Sequence, residues 1–339
     1  MANYIEEQLI RPPYIKAQPG THESLTVLCS FLSRADGTPL SERSRADGHV
    51  LDHNGNVIAD LSDNPSDNAF EGEPNINFEH WGEYWRKVHG VRFIHSETDM
   101  DASALEKLIR YDQLHRLAAG PTQMDTVPYN IPVDESGKLW PTVIGHIKPY
   151  YRPDWDGIAY LNFASEGDIP SLLASERVVQ KILPEDKTIF RDIAPLLSKQ
   201  YIVVPSEHGN EAITLVKTHQ RKSNIDRIDF QEWWLGEYAA EVYKRNEETK
   251  IIKRYVQLHN IGPTEEGQPF YHKYTSSLDG VSLLSFSNIN DLEDYLRSPL
   301  YQDLSALEAT KNGVTEYWTS ASITLVNRIH PEYPTHKNR

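Results

Sequence analysis

The stretch IRYDQLHRLAAGPT, Ile109–Thr122, has a near copy in KRYVQLHNIGPT, Lys253–Thr264. Both read Arg-Tyr-x-Gln-Leu-His and then Gly-Pro-Thr. The match extends in each direction. Upstream, WGEYWRKVH (Trp81–His89) parallels FQEWWLGEY (Phe230–Tyr238), with His89 in one and Tyr238 in the other. Downstream, WDGIAYLNFASEGDIPSLLAS (Trp155–Ser175) parallels LDGVSLLSFSNINDLEDYLRS (Leu278–Ser298), where Asp-Gly and the later Phe coincide. Three blocks recurring in one order read as a tandem duplication.

Each half opens and closes with a β-branched run: SLTVLCSFL (Ser24–Leu32) and KQYIVV (Lys199–Val204), then AITLVKTH (Ala212–His219) and SASITLVNR (Ser320–Arg328). Such runs predict strands. Trp81, Trp85 and Val88 lie at i, i+4 and i+7, a helical spacing, and a second helix is predicted in each half, with Asp168 and Asn290 or Asp291 as N-caps. Each half is then β-α-β-β-α-β. A unit of that order covers one sheet face with helices and must bury the other elsewhere. The predicted fold is therefore α+β: two fused ferredoxin-like repeats forming an intramolecular barrel. The predicted boundaries are an N-terminal arm (1–23), a first repeat (24–205) with insertions at 35–77 and 122–154, a second repeat (210–328) and a tail (329–339). The first insertion holds Asp-Gly and Asn-Gly pairs, which predict turns and a β-hairpin excursion.

Strand side chains alternate faces. Tyr111, Gln113 and His115 share one face, as do Tyr255, Gln257 and His259. Val256 and Leu258 on the opposite face suit the helix-covered side, so the polar trios are expected to point into the space between the sheets. Two readings stay open: a buried hydrogen-bonded network or a pocket lining.

The blocks EYWRKVHG, YDQLH and WDGIAYLNF, repeated less fully as EWWLGEY, YVQLH and LDGVSLLSF, resemble an EthD-type domain, and the two copies cover residues 24–328. The resemblance implies a dimeric α+β barrel. It also implies mostly cofactor-free chemistry on small oxygenated, often aromatic molecules: decarboxylation, dehydration, cyclisation or isomerisation. The wider superfamily includes cofactor-independent oxygenases and haem enzymes. The motif's histidine falls on His89, and Tyr238 departs from the pattern.

Composition narrows the partners. The 339 residues are 39% hydrophobic, 24% charged and 10% aromatic, with a net charge of −15. Such acidity repels phosphate backbones and anionic membranes, and the N-terminal stretch lacks the apolar core of a secretory signal. The single cysteine, Cys29, excludes an intrachain disulfide and suits a cytoplasmic setting.

Imidazole suits proton transfer near neutral pH, so His89, His115 and His259 are the expected catalytic groups. Tyr111, Gln113, Tyr255 and Gln257 are expected to orient substrate, and Trp85, Tyr84 and Tyr238 to contact it. His89, His95, Glu97 and Asp99 match no compact metal pattern, and no metal is expected. No phosphate-binding glycine loop or Gly-x-Ser-x-Gly elbow occurs. The late helices carry no histidine for haem, Tyr301 being the nearest candidate. The expected function is that of a cofactor-free lyase or isomerase acting on an aromatic or polyketide-like molecule. The alternatives are a non-catalytic binding protein and an oxidative barrel enzyme, with or without haem. A further homodimerisation of the fused barrel is left open.

Overall fold

The strands form where β-branched and aromatic residues concentrate, and they close on one another. A computed structural model describes residues 25–34, 49–51, 57–60, 78–94, 98, 103–117, 154–204 and 211–327. The long strands are β1 (Leu25–Arg34), β4 (Leu108–Arg116), β5 (Gly157–Phe163), β6 (Phe190–Val204), β7 (Ile213–Arg221), β8 (Arg254–Asn260), β9 (Gly280–Phe286) and β10 (Asn312–Asn327). They pair antiparallel into one closed barrel in the order β1-β5-β4-β10-β7-β9-β8-β6. Two short strands, β2 (His49–Leu51) and β3 (Val57–Asp60), form a separate hairpin inside the first insertion. The arm, the tail and the 122–154 insertion lie outside the described residues.

The expectation of two fused ferredoxin-like repeats is corrected by this sheet. It is a single eight-stranded antiparallel barrel, wrapped by short helical segments. The cause lies in β6 and β10, 15 and 16 residues long. β6 pairs with β1 and then with β8 of the other half. β10 pairs with β7 and then with β4. The four strands of each half stay neighbours, β6-β1-β5-β4 and β10-β7-β9-β8, but β6 and β10 join the two sets into one closed sheet. A free-standing sheet leaves two rows of unpaired backbone groups, which closure satisfies.

The strands divide three apolar clusters between the two barrel faces. The interior is filled from all eight strands, by Val27, Cys29, Phe31, Leu114, Ile158, Tyr160, Leu196, Val216, Val256, Leu258, Leu283 and Trp318 among others. Burial pushes the Cys29 thiol up, so it is an inert packing group. The outer face is covered by helices. In the first half Trp81, Tyr84 and Trp85 pack there with Tyr111, Leu161 and Phe163. In the second, Phe230, Trp234 and Tyr238 pack with Tyr255, Leu284 and Phe286.

The predicted orientation of the polar trios is therefore reversed. Tyr111, Gln113 and His115, like Tyr255, Gln257 and His259, face the helices. The interior receives Arg110, Asp112, Leu114 and Val256 instead. Arg110 Nε lies 2.8 Å from Asp112 and its Nη2 3.0 Å from Glu211. In a closed barrel both faces are buried, so an apolar row no longer marks the helix side.

Candidate functional site

The covering helix of each half begins as α-helix and widens into a π-turn at a tryptophan: Phe78–Tyr84 into Trp85–His89, and Arg227–Trp233 into Trp234–Tyr238. The Trp85 carbonyl accepts from Gly90 N–H, and the Trp234 carbonyl from Ala239 N–H, five residues on. Each carbonyl also accepts a strand glutamine, Gln113 Nε2 at 2.8 Å and Gln257 Nε2 at 2.9 Å. The repeated Gln thus ties a widened helical turn to the sheet. The Asp-Gly pair completes the clamp. A Cβ on Gly157 would lie 2.7 Å from Trp85 Cζ3, and one on Gly280 2.5 Å from Trp234 Cζ3. Only glycine lets the indole lie this close to the strand. Asp156 and Asp279 accept the backbone N–H of Arg34 and Arg221, fixing the start of the same strands.

A carbonyl can only accept, so the glutamine amide orientation is set. Gln113 Nε2 also donates to Tyr111 Oη at 2.9 Å, and Gln257 Nε2 to Tyr255 Oη at 3.0 Å. The amide oxygens then accept His115 Nε2–H and His259 Nε2–H, each at 3.0 Å. Both imidazoles are therefore neutral with the lone pair on Nδ1. His259 stacks on Trp234 with ring centroids 4.6 Å apart and planes at 11°, and His115 lies 4.4 Å from Trp85. Burial pushes both histidines down to about 3, helped by Arg86 at His115 and His219 at His259.

The sign of this shift is testable. The native histidines stay neutral while the unfolded chain protonates near pH 6.5, so their contribution is present above pH 6.5 and lost as pH falls toward 3. The thermal midpoint should fall between pH 6.5 and 5, above the carboxylate range. Replacing His115 and His259 together by Phe should flatten that slope while retaining the stacks. An unchanged slope in the double variant would refute the assignment.

Beyond these shared contacts the halves differ. In the first, His89 Nδ1 lies 2.9 Å from Glu185 and its Nε2 3.4 Å from Asp186. Tyr84 Oη and Arg92 also donate to Glu185. Burial lowers the His89 pKa, but Asp186 and Glu185 outweigh it and the net direction is up. Burial likewise opposes ionisation of Glu185, yet His89 and Arg92 hold it down at about 2. His89 is thus an ion-pair partner joining two helical segments.

In the second half the corresponding carboxylate is Glu308, at the end of the helix Pro299–Glu308. Its closest partners come from the strand. Lys217 Nζ lies 2.5 Å away and His219 Nδ1 3.0 Å away. Tyr238 Oη donates to it at 3.3 Å. Leu32 pairs with Gly157 as His219 pairs with Gly280, so the first half carries Ser30 and Leu32 where the second carries Lys217 and His219. The exchange of His89 for Tyr238 is matched by a cation moved from helix to strand. Burial and, secondarily, Lys217 shift His219 down, although Glu308 opposes this. Lys217 and His219 lower Glu308 against the effect of burial.

His219 Nε2 lies 2.9 Å from Ser282 Oγ, and Ser282 Oγ 3.2 Å from Tyr255 Oη. His219 Nδ1 faces both the Glu308 carboxylate at 3.0 Å and the Asn312 amide nitrogen at 3.2 Å; a bare lone pair there would confront the ionised carboxylate, so Nδ1 carries the proton and Nε2 accepts. Ser282 therefore donates to His219, and Tyr255 to Ser282. One chain results, every donor directed the same way: His259, Gln257, Tyr255, Ser282, His219, Glu308. In the first half Ala159 stands opposite Gln113 where Ser282 stands opposite Gln257, so that path has no serine link. Trp85, Tyr84 and Tyr238 lie in the helix–sheet layer, all buried. Sequence reasoning missed Glu308, Lys217, His219 and Ser282. Lys217 and His219, polar residues at i and i+2 in an otherwise apolar run, were the available signal. His95, Glu97 and Asp99 lie outside the described residues, and no metal-binding group of His, Cys, Asp and Glu occurs among those described.

No family model matches the chain, and no curated protein matches it. Solved structures that resemble it include the following three. A Lactobacillus acidophilus NCFM protein named as a candidate monooxygenase matches at 7% identity and TM-score 0.46, covering 91% of this chain and 98% of its own. An anthrone oxidase-like protein matches at 10% and 0.44, covering 92% and 97%. A mutant chlorite dismutase from Candidatus Nitrospira defluvii matches at 9% and 0.39, covering 89% and 93%. The likenesses are long but weak. At these identities they carry no residue role across. The EthD resemblance has no family match beside it. No described helix is long and apolar enough to cross a membrane.

Proposed function

We propose that the protein is an enzyme that withdraws a proton from an oxygenated, largely apolar small molecule, and that the second half does this work. What carries the reading is the one-way donor chain from His259 to Glu308. Each group that donates toward the Glu308 carboxylate gains electron density and becomes a better acceptor for the group before it, so the chain makes His259 Nδ1 a better base. Burial and the neighbouring His219 lower its pKa, and a substrate anion formed beside it raises it again.

The chain serves one proton carrier, His259. Dehydration needs a proton removed at one atom and an acid placed at another, the departing hydroxyl. Oxidation needs both transfers at one carbon, and we therefore place it ahead of lyase chemistry: the deprotonated carbon reacts directly with dioxygen, the peroxide anion takes back the proton held by His259, and loss of the second C–H proton with O–O cleavage leaves one oxygen atom in the product and releases the other as water. The residues present require no metal or cofactor for the proton step.

Anthrone, whose methylene is acidic and which dioxygen converts to the quinone, is a suitable probe. Oxygen uptake should equal quinone formed. His259→Phe should lower kcat by about 10²–10⁴-fold, the range of general-base contributions. Undiminished turnover in that variant would reject the reading. Substrate turnover without oxygen uptake would instead favour isomerisation.

A further inference from the structure

Two described non-glycine residues have positive φ, Lys250 at the end of a helix and Phe270 in the loop following β8. Phe270 has φ +67°, in the left-handed region that bulky side chains avoid. Glycine would occupy that conformation at no steric cost. The chain instead keeps a phenyl ring there, half-buried against the outer-face cluster that contains Ile169 and Leu197. Strain of this kind persists where the surrounding structure uses the side chain it aims.

The ring forms one wall of an open cleft of about 530 Å³. Its other apolar lining includes Leu197, Ile169, Pro170, Ile261 and Pro263. Ile261 N–H donates to Leu197 O, which extends the β6–β8 pairing by one step. Ile261 is thus the next residue after His259 in the row Tyr255, Gln257, His259. The polar groups of the cleft are Glu166 and Gln268, an exposed carboxylate and an exposed amide. The volume lies within the range of small-molecule sites, which are mostly apolar with a few polar groups.

We propose that this cleft binds a neutral apolar molecule of two or three fused or linked rings carrying a hydrogen-bond donor, with Phe270 as the wall that grips it. Glu166 accepts from the donor and disfavours anions, as does the net charge of −15. The proposal deepens the functional reading by naming the seat of the substrate's apolar body, and it rests on that reading for the word substrate. The binding itself is read without turnover.

The probe is N-phenyl-1-naphthylamine, a neutral diaryl amine that fluoresces in apolar surroundings, titrated into the full chain. The anionic 8-anilino-1-naphthalenesulfonate is the comparison. The neutral probe should bind at least tenfold more tightly than the anion. Phe270→Gly should keep or raise the thermal midpoint, because it relieves the backbone, and should weaken binding of the neutral probe at least tenfold. Ile261→Trp, at a position already exposed, should fill the cleft and abolish binding with the fold intact. It also decides the matter if Phe270→Gly does not fold. Unchanged binding in Ile261→Trp, or a Phe270→Gly protein that loses stability but binds normally, overturns the proposal. His259→Phe should bind the probe as the wild type does. Loss of turnover with binding intact would leave the cleft standing whatever becomes of the proton step.

Discussion

Glu308→Ala is expected to destabilise the fold by about 3–5 kcal/mol, the range for removing one partner of a buried ion pair. Glu308 holds Lys217 at 2.5 Å and His219 at 3.0 Å, and all three are at most 5% exposed. Truncation strands the Lys217 ammonium between helix and strand, with no other carboxylate paired to it among the described residues. Replacing both partners by apolar residues, as in Lys217→Met with Glu308→Leu, should recover most of the loss, because no charge is then left buried. Glu185→Ala should cost less. Its partner Arg92 is 29% exposed and can turn toward water. Denaturant titration of the variants measures these differences. A Glu308→Ala protein within about 1 kcal/mol of wild type would show that the pair is not an anchor of this layer.

Trp234→Ala should cost a similar amount, about 3–5 kcal/mol, as large-to-small changes of fully buried aromatics do. The indole is completely buried. It stacks on His259, lies 4.6 Å from His219 and rests on Gly280. Gly280→Ala alone should cost about 1–3 kcal/mol through overpacking, since its Cβ meets both the indole and the Leu258 carbonyl. In the double variant the indole clash is gone and only the carbonyl contact remains. The two costs should therefore fall short of additivity by at least about 0.5 kcal/mol. Strict additivity would mean that the glycine is not required by the tryptophan.

Much of the clamp was legible in the residues alone. Arg-Tyr-x-Gln-Leu-His placed Tyr, Gln and His on one strand face in both halves, and that grouping stands. Trp81, Trp85 and Val88 marked a helix. Asp-Gly recurred in both copies, and the structure places it at the start of β5 and β9. These are local patterns, governed by periods of two and 3.6 residues and by the small size of glycine. The side to which the trio turned was not legible, because the rule that apolar rows face helices assumes one solvated or lumenal face. His89 drew attention through the resemblance to the EthD motif, yet its partners, Glu185 and Asp186, sit on a distant helix.

The sequence by itself determined which residues act together along each strand and helix, and that the two halves use the same blocks. Tertiary structure decided the rest. Closure through β6 and β10 buried both sheet faces and turned the polar trios toward the π-turn carbonyls, which needed a donor. It also brought Lys217 and His219 of β7, Ser282 of β9, Tyr255 of β8 and Glu308 of a later helix into one line. Those residues come from four segments separated by more than 20 positions, and hydrogen bonds at about 3 Å between such segments exist only after the barrel has closed.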